Sequence, residues 1–335
     1  MSSDANSRYL LRNLLRDVSR SFYLTLRVLP APIRDQIGLA YLLARATDTI
    51  ADSDLIAINE RLSALSELRN AILSDTPAPV RFEQLQSNQP NPSERILLSR
   101  INVALALLST FGAEDRTLIQ AVLRTITEGQ ILDLQRFGAG SAQNIMALQN
   151  SEELDDYTYK VAGCVGEFWT RICCSHLTPE PKASLDVLIK KGVRFGQGLQ
   201  LVNILRDIPR DLRSGRCYLP QSELNLARLS PSDLLDPKNE VRLRPLYNEW
   251  LLNSENHLAA GWSYVLDLPP SWIRVRLGCS WPILIGFKTL HMLRSGNVLD
   301  PEQRIKISRA EVRRILRKSV TGYFFRSWSA LPEKI

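Results

Sequence analysis

Apolar residues recur along this chain at the three- and four-residue spacing of a helix face, and strand-like alternation bounded by turns is almost absent. Leu10, Leu11, Leu14, Leu15 and Val18 form one such stripe within residues 10 to 27. Pro30 and Pro32 interrupt the pattern, and Pro32 suits the first turn of the helix predicted over residues 33 to 51. A third helix is expected at 55 to 73. Residues 74 to 93 (SDTPAPVRFEQLQSNQPNPS) are rich in Pro, Gln and Asn, and read as an irregular connection with one turn near Phe82 to Leu85. Helical patterns resume at 94 to 112, 114 to 136, 153 to 176 and 183 to 208, followed by a loop at 214 to 220. Further helices are expected at 221 to 227, 231 to 234, 238 to 266, 270 to 294 and 308 to 328. The pattern predicts an all-α bundle, one domain over residues 1 to 335.

Composition narrows what such a bundle does. Hydrophobic residues make up 44% and charged residues 23%, as in an ordinary globular protein. With 42 basic and 35 acidic residues, the net charge of +7 suits nucleic acid, an anionic membrane surface or phosphorylated small molecules. No nucleic-acid motif accompanies it, so no nucleic-acid partner is expected. No Gly-rich loop opens a helix, which leaves neither a Rossmann nor a P-loop nucleotide site. The five cysteines lack any C-x-x-C pair and the three histidines are scattered, pointing to reduced thiols, a cytoplasmic setting and no zinc site. The N-terminus lacks the apolar core of a signal peptide. The longest apolar stretch, residues 281 to 293, is too short to span a bilayer and contains Lys288 and His291. Peripheral membrane contact stays open, because Tyr323, Phe324, Phe325 and Trp328 near the C-terminus either pack the last helix onto the body or touch a bilayer.

Two acidic constellations stand out. Asp48 and Asp52 close the second helix, and Asn203, Asp207 and Asp211 lie in a later one. Residues at i and i+4 share a helix face about 6 Å apart in rise. Two helices turning such faces towards each other would surround one cavity with four carboxylates. Like charges at this spacing repel, and hard divalent cations relieve the repulsion; Mg²⁺ is held by one or two carboxylates plus phosphate oxygens. The alternative is that these acids belong to solvated helix faces. Against it, the second motif sits in the apolar run FGQGLQLVNILRDI, where a buried Asn, Arg and Asp would be costly without partners. Pro209 is expected to interrupt that helix. Arg20, Arg45, Arg206 and Arg216 lie in or beside apolar segments near the acids, and guanidinium groups grip phosphate oxygens with paired hydrogen bonds.

In this order, Ser19-Arg20-Ser21-Phe22, Arg45 to Asp52, Tyr157 with Val161 to Gly166, Asn203 to Asp211 and Gly215 to Pro220 resemble the squalene and phytoene synthase family. The resemblance covers residues 12 to 225 and, more weakly, 272 to 312. It implies an isoprenoid-synthase-type bundle with a central cavity. It makes Asp48, Asp52, Asn203, Asp207 and Asp211 Mg²⁺-diphosphate ligands, and Arg20, Arg45, Arg206 and Arg216, with Ser19 and Ser21, the diphosphate-binding set. By the same likeness Tyr157 lies near the reacting carbons, Val161, Ala162 and Val165 line the prenyl tunnel, and Gln200 is a polar residue upstream of the second acidic motif. Lys306 and Arg309 fall where squalene synthases carry a basic loop linked to NADPH; a basic loop on a solvated helix start is the alternative. The family reaction condenses two farnesyl diphosphates head to head through presqualene diphosphate, then reduces the product with NADPH to squalene. Without reduction the product is presqualene diphosphate, dehydrosqualene or phytoene. Ala51 and Gly278 depart from the pattern of the eukaryotic squalene synthases, and the likeness is greatest to a bacterial-type enzyme. More remote readings are a terpene cyclase or an inactive assembly protein.

Overall fold

The structure is a computed structural model that describes residues 3–19, 22–303, 305–325 and 328–332. Backbone contacts group the chain into two compact units, Met1–Leu134 with Phe168–Thr178, and Gln135–Glu167 with Pro179–Ile335.

The first unit begins with α1 (Ser3–Arg8), a π-helical segment (Tyr9–Leu14), α2 (Leu15–Ser19), α3 (Tyr23–Val28) and α4 (Ala31–Ala51). It continues with α5 (Ile58–Leu73), α6 (Glu83–Asn88), α7 (Pro92–Ser99), α8 (Ile101–Leu108) and α9 (Ala113–Phe137). Helix α4 starts from an extended Pro30 with proline in its first turn, and buries residues on most of its circumference, among them Ile33, Leu39, Leu42, Leu43 and Ile50. It is the core helix of this unit. The helix expected over 94 to 112 is two, because the backbone at Arg100 leaves the helical region (φ −103°, ψ 9°). The Pro/Gln/Asn-rich connection is more ordered than its composition predicts. Val80, Phe82 and Leu85 are buried, and the Asn102 amide bonds both the N–H and the C=O of Val80. The segment is thereby stapled to the core, and one full short helix forms within it.

The second unit holds β1 (Met146–Ala147), α10 (Ser151–Thr158), a second π-helical segment (Tyr159–Gly163) and the start of α11 (Cys164–His176). After α12 (Leu185–Arg213) come β2 (Arg216–Cys217), α13 (Gln221–Leu226), two 3₁₀ turns, α14 (Glu240–Asp267), α15 (Ile273–Ser295) and α16 (Arg309–Gly322). The predicted loop at 214 to 220 contains a two-residue parallel ladder, in which Met146 pairs with Arg216 and Ala147 with Cys217. Gly215 enters it with φ 76°, a left-handed conformation that glycine adopts without strain. Long-range pairing of this kind leaves no local periodic signal.

Helix α12 corrects one expectation. It runs through Pro209 to Arg213 without stopping. Proline removes the N–H that would bond the carbonyl four residues earlier, which is Leu205. That carbonyl instead accepts a hydrogen bond of 3.1 Å from the hydroxyl of Tyr247, a fully buried residue of α14. The orphaned acceptor is satisfied by a neighbouring helix, so the chain continues helical.

Helix α12 also crosses the π segment and α11 closely. A Cβ at Gly166 would lie 1.9 Å from the Gly192 carbonyl oxygen, and one at Gly196 would lie 2.2 Å from that of Ala162. Only hydrogen side chains permit this approach. At the far end, α16 stops at Gly322 and not near 328; Tyr323 and Trp328 nonetheless pack inward beyond it. Among the described residues, no helix is long and apolar enough to cross a membrane.

Candidate active site

In the first unit the acidic motif ends α4. Asp48 lies one turn after Arg45, and Asp52 is the C-cap residue, its N–H bonded to the Asp48 carbonyl at 2.9 Å. A carboxylate at a helix C-terminus meets the negative end of the helix dipole, so Asp52 adds charge where the backbone disfavours it. The Gln130 amide of α9 donates to Asp48 Oδ1 at 2.6 Å, and Arg45 lies 3.7 Å from Asp48 Oδ2. Burial, then the Asp52 carboxylate, push the Asp48 carboxyl up to about 6, against the pull of Arg45 and Gln130. Half of its side-chain surface is nonetheless open. Asp48 therefore combines charge-crowded surroundings with an open side-chain surface.

Arg45 is committed elsewhere. Its guanidinium is 2.5 Å from Glu94, a buried acid of α7 that also accepts 3.1 Å from the Asn91 amide. The pairing with Glu94 holds Arg45 beside Asp48 and leaves its Nε buried without a hydrogen bond, as is Gln130 Oε1. One unused donor and one unused acceptor therefore lie next to the open carboxylate. Asn91 caps α7 by accepting from the Ser93 N–H at 3.0 Å. Replacing Asn91 by alanine removes this cap and one donor to Glu94, and is expected to lower stability by about 1 kcal/mol in urea denaturation.

In the second unit, Arg206 forks onto Asp207 through two hydrogen bonds of 2.8 and 2.6 Å. Hydrogen bonding to Asp207 raises the Arg206 pKa further, with Asp211 adding to the field. Asp207 keeps lone pairs beyond those Arg206 uses. Asp211 and Arg216 line a small cleft together with Cys217 and Tyr218. Asn203 is exposed, while Arg206 and Asp207 are half-buried, so the polar face of α12 opens outward and is not the buried face expected. Tyr157 stacks on Tyr218 (centroids 4.8 Å, planes 23° apart), and Phe137 meets Tyr218 edge-on. Val161, Ala162 and Val165 are half-buried, forming an apolar strip on the π segment and the start of α11; Gln200 is also half-buried on α12. Burial pushes the Cys164 and Cys217 thiols up to about 12, which removes them as nucleophiles.

Other predicted residues are placed differently. Ser19 is buried and its hydroxyl donates to the Leu15 carbonyl of its own helix. Arg20 and Ser21 lie outside the described residues. Lys306 and Arg309 are both exposed around the start of α16, where Ser308 and Glu311 form a reciprocal capping box. Sequence reasoning missed Glu94, Gln130 and Tyr218. A signal existed for Gln130: with Thr127 and Asp133 it forms a buried polar stripe on α9 beside the apolar Ile119, Leu123, Ile126 and Leu134.

Among the described residues, no three His, Cys, Asp or Glu side chains are grouped so as to hold a metal by themselves. A Mg²⁺ ion bound with a diphosphate requires fewer, one or two carboxylates with phosphate oxygens and water. The open Asp48, its neighbour Asp52 and the unused Gln130 Oε1 fit that donor set.

The chain is similar to several known proteins. A bifunctional lycopene cyclase/phytoene synthase of Pyrenophora tritici-repentis is 29% identical over 90% of this chain and 48% of its own length. The squalene synthase of Saccharomyces cerevisiae is 28% identical over 79% of this chain and 57% of its own length. The chain thus spans about half the length of these curated relatives. Among solved structures, a ligand complex of TcSQS aligns with a TM-score of 0.77 at 21% identity, covering 94% of this chain and 86% of that one. A dehydrosqualene synthase aligns at 0.67 and 19% identity, covering 96% and 97%. These likenesses show the fold, an isoprenoid-synthase-type all-α architecture. The squalene/phytoene synthase family matches residues 15–311, a span that runs through both compact units and takes in every acidic and basic site residue named above, and the chain belongs to that family.

Proposed function

We propose that the chain condenses two molecules of farnesyl diphosphate head to head, through presqualene diphosphate, and reduces the product to squalene with NADPH. The observation that carries this reading is the open, charge-crowded Asp48, flanked by Asp52, a held arginine and two unspent polar atoms. Such a carboxylate suits a site whose charge is balanced only when cation and diphosphate are bound.

Each residue then has a task. Asp48 and Asp52 would hold Mg²⁺ in the first unit; Asn203, Asp207 and Asp211 would do so in the second. Bound Mg²⁺ would neutralise the departing pyrophosphate as the allylic carbon–oxygen bond breaks. Arg45 and Arg206, held by Glu94 and Asp207, keep their guanidiniums oriented for phosphate oxygens, and Arg216 and Arg20 complete the set. The strip of Val161, Ala162 and Val165 offers prenyl chains an apolar wall that excludes water. Tyr157, fixed by its stack on Tyr218, is suited to hold a proton beside the reacting carbons. Lys306 and Arg309 offer two exposed cations to the phosphates of NADPH, which would supply the hydride.

The test is incubation of purified protein with farnesyl diphosphate and Mg²⁺, with and without NADPH, and mass spectrometry of the lipid extract. Squalene formed only with NADPH supports the full reading. Presqualene diphosphate or dehydrosqualene in both samples keeps the condensation and removes the reduction. The relatives named phytoene synthases make geranylgeranyl diphosphate the second substrate to try. No product from either would sink the head-to-head assignment. Omitting Mg²⁺ is expected to abolish product, and turnover in metal-free buffer would remove the metal from the proposal.

A further inference from the structure

The C-terminal end of the second unit carries a feature that the condensation does not use. Helix α16 has a buried side, with Ile315 and Ser319 against the body. Ser319 Oγ accepts from the Trp281 indole of α15 at 2.9 Å. Its other side is strongly basic: Arg313, Arg314, Arg317 and Lys318 are all exposed, and the only acid they meet on this helix is Glu311 in its first turn, whose carboxyl Ser308, with help from Arg314, holds below its usual pKa. By helical spacing Arg313, Arg317 and Val320 follow one line, and Arg314, Lys318 and Thr321 the next. Both lines lead to Phe324 and Phe325, which are 81% and 67% exposed.

Exposed phenylalanines on a loose tail would mean little, but these two are held. The preceding Tyr323 donates to the Pro270 carbonyl at 2.8 Å, and the following Trp328 donates to the Ser319 carbonyl at 3.1 Å. Between those rings lies the buried guanidinium of Arg276, 5.4 Å from the Tyr323 ring centre and 4.9 Å from that of Trp328. Arg276 also donates to the Val265 carbonyl and to the Tyr323 hydroxyl. The four aromatic residues noted in the sequence thus divide: two clamp the turn to the body and two are presented to solvent.

We infer that this face docks the protein on an anionic lipid bilayer. Arg313, Arg314, Arg317 and Lys318 meet lipid phosphates, and Phe324 and Phe325 enter the boundary between headgroups and acyl chains. A basic helix side joined to adjacent apolar residues is the pattern of an interfacial segment, and a surface of one charge sign selects an anionic partner. The inference stands apart from the proposed reaction, since none of these residues belongs to the candidate active site.

Flotation of the full chain with phosphatidylcholine vesicles, with and without phosphatidylglycerol, tests it. Binding is expected only to the phosphatidylglycerol vesicles and is expected to weaken as salt rises. Arg317→Gln with Lys318→Gln should lower partitioning about 25-fold, at about fivefold per charge. Phe324→Ser with Phe325→Ser should lower it tenfold or more, with the melting temperature of both variants unchanged. Equal binding to both vesicle types, no binding by the wild type, or full binding by a folded double-phenylalanine variant would overturn the inference. So would light scattering that shows a dimer broken by the phenylalanine pair, which would assign the face to a second copy of the chain.

Discussion

Exchange of Asp48 for asparagine is expected to slow product formation about 1000-fold while leaving the fold intact. Asparagine has the same shape, and its carbonyl still accepts the hydrogen bond from Gln130. What disappears is the charge that the proposed cation and diphosphate require. The same exchange has a signature in stability that does not depend on turnover. The Asp48 carboxyl is raised from 3.8 to about 6 in the folded chain, chiefly by burial and by Asp52. Between those two values the folded protein binds a proton that the unfolded chain has released, so stability falls as pH rises across that window. Above about 6 the loss is complete and the curve levels for this group. Because the side chain is half open, solvent screening makes the effect smaller than the bare shift implies. Denaturant titrations in metal-free buffer from pH 4 to pH 7 should show the decline in the wild type and a shallower one in Asp48→Asn. An asparagine variant that turns over at the wild-type rate would remove Asp48 from the site.

Alanine at Gly166 is expected to cost about 3 kcal/mol or more, and to reduce the yield of folded protein. The added carbon would stand 1.9 Å from the Gly192 carbonyl oxygen and 2.3 Å from its carbon. Both are backbone atoms, so no rotamer change relieves the clash and the helices must separate. The segment displaced is the one that carries Val161, Ala162 and Val165, so protein that does fold should also lose affinity for the proposed prenyl substrate. Gly112 is the control, because a Cβ there meets nothing within 4 Å. Gly112→Ala should change the melting temperature little, and a wild-type melting temperature for Gly166→Ala would contradict the close crossing.

Part of the site is legible in the sequence. Asp48 and Asp52, or Asp207 and Asp211, share a helix face by spacing alone, and this part of the reading needed only the helix period. The partners were not legible. The sequence offers Arg45 as a diphosphate ligand but does not show Glu94, 49 residues further along the chain, which holds its guanidinium. Nor does the sequence show that Arg206 forks onto its neighbour Asp207. The expectation that Pro209 would end its helix failed because local propensity cannot foresee the hydroxyl of Tyr247, 42 residues beyond Leu205.

By itself the sequence determined the all-α class, most helix boundaries to within a few residues, and the order of acidic and basic motifs. These depend on periodicity, proline placement and i,i+4 geometry, all interactions within a few residues of chain. Tertiary structure alone decided the rest. It chose which acid holds Arg45, which hydroxyl satisfies the carbonyl that Pro209 leaves bare, how closely α12 passes Gly166, and which aromatic residues beyond α16 face inward. Each of these joins groups far apart in sequence. Their free energy depends on distance and desolvation, which only the packed chain supplies.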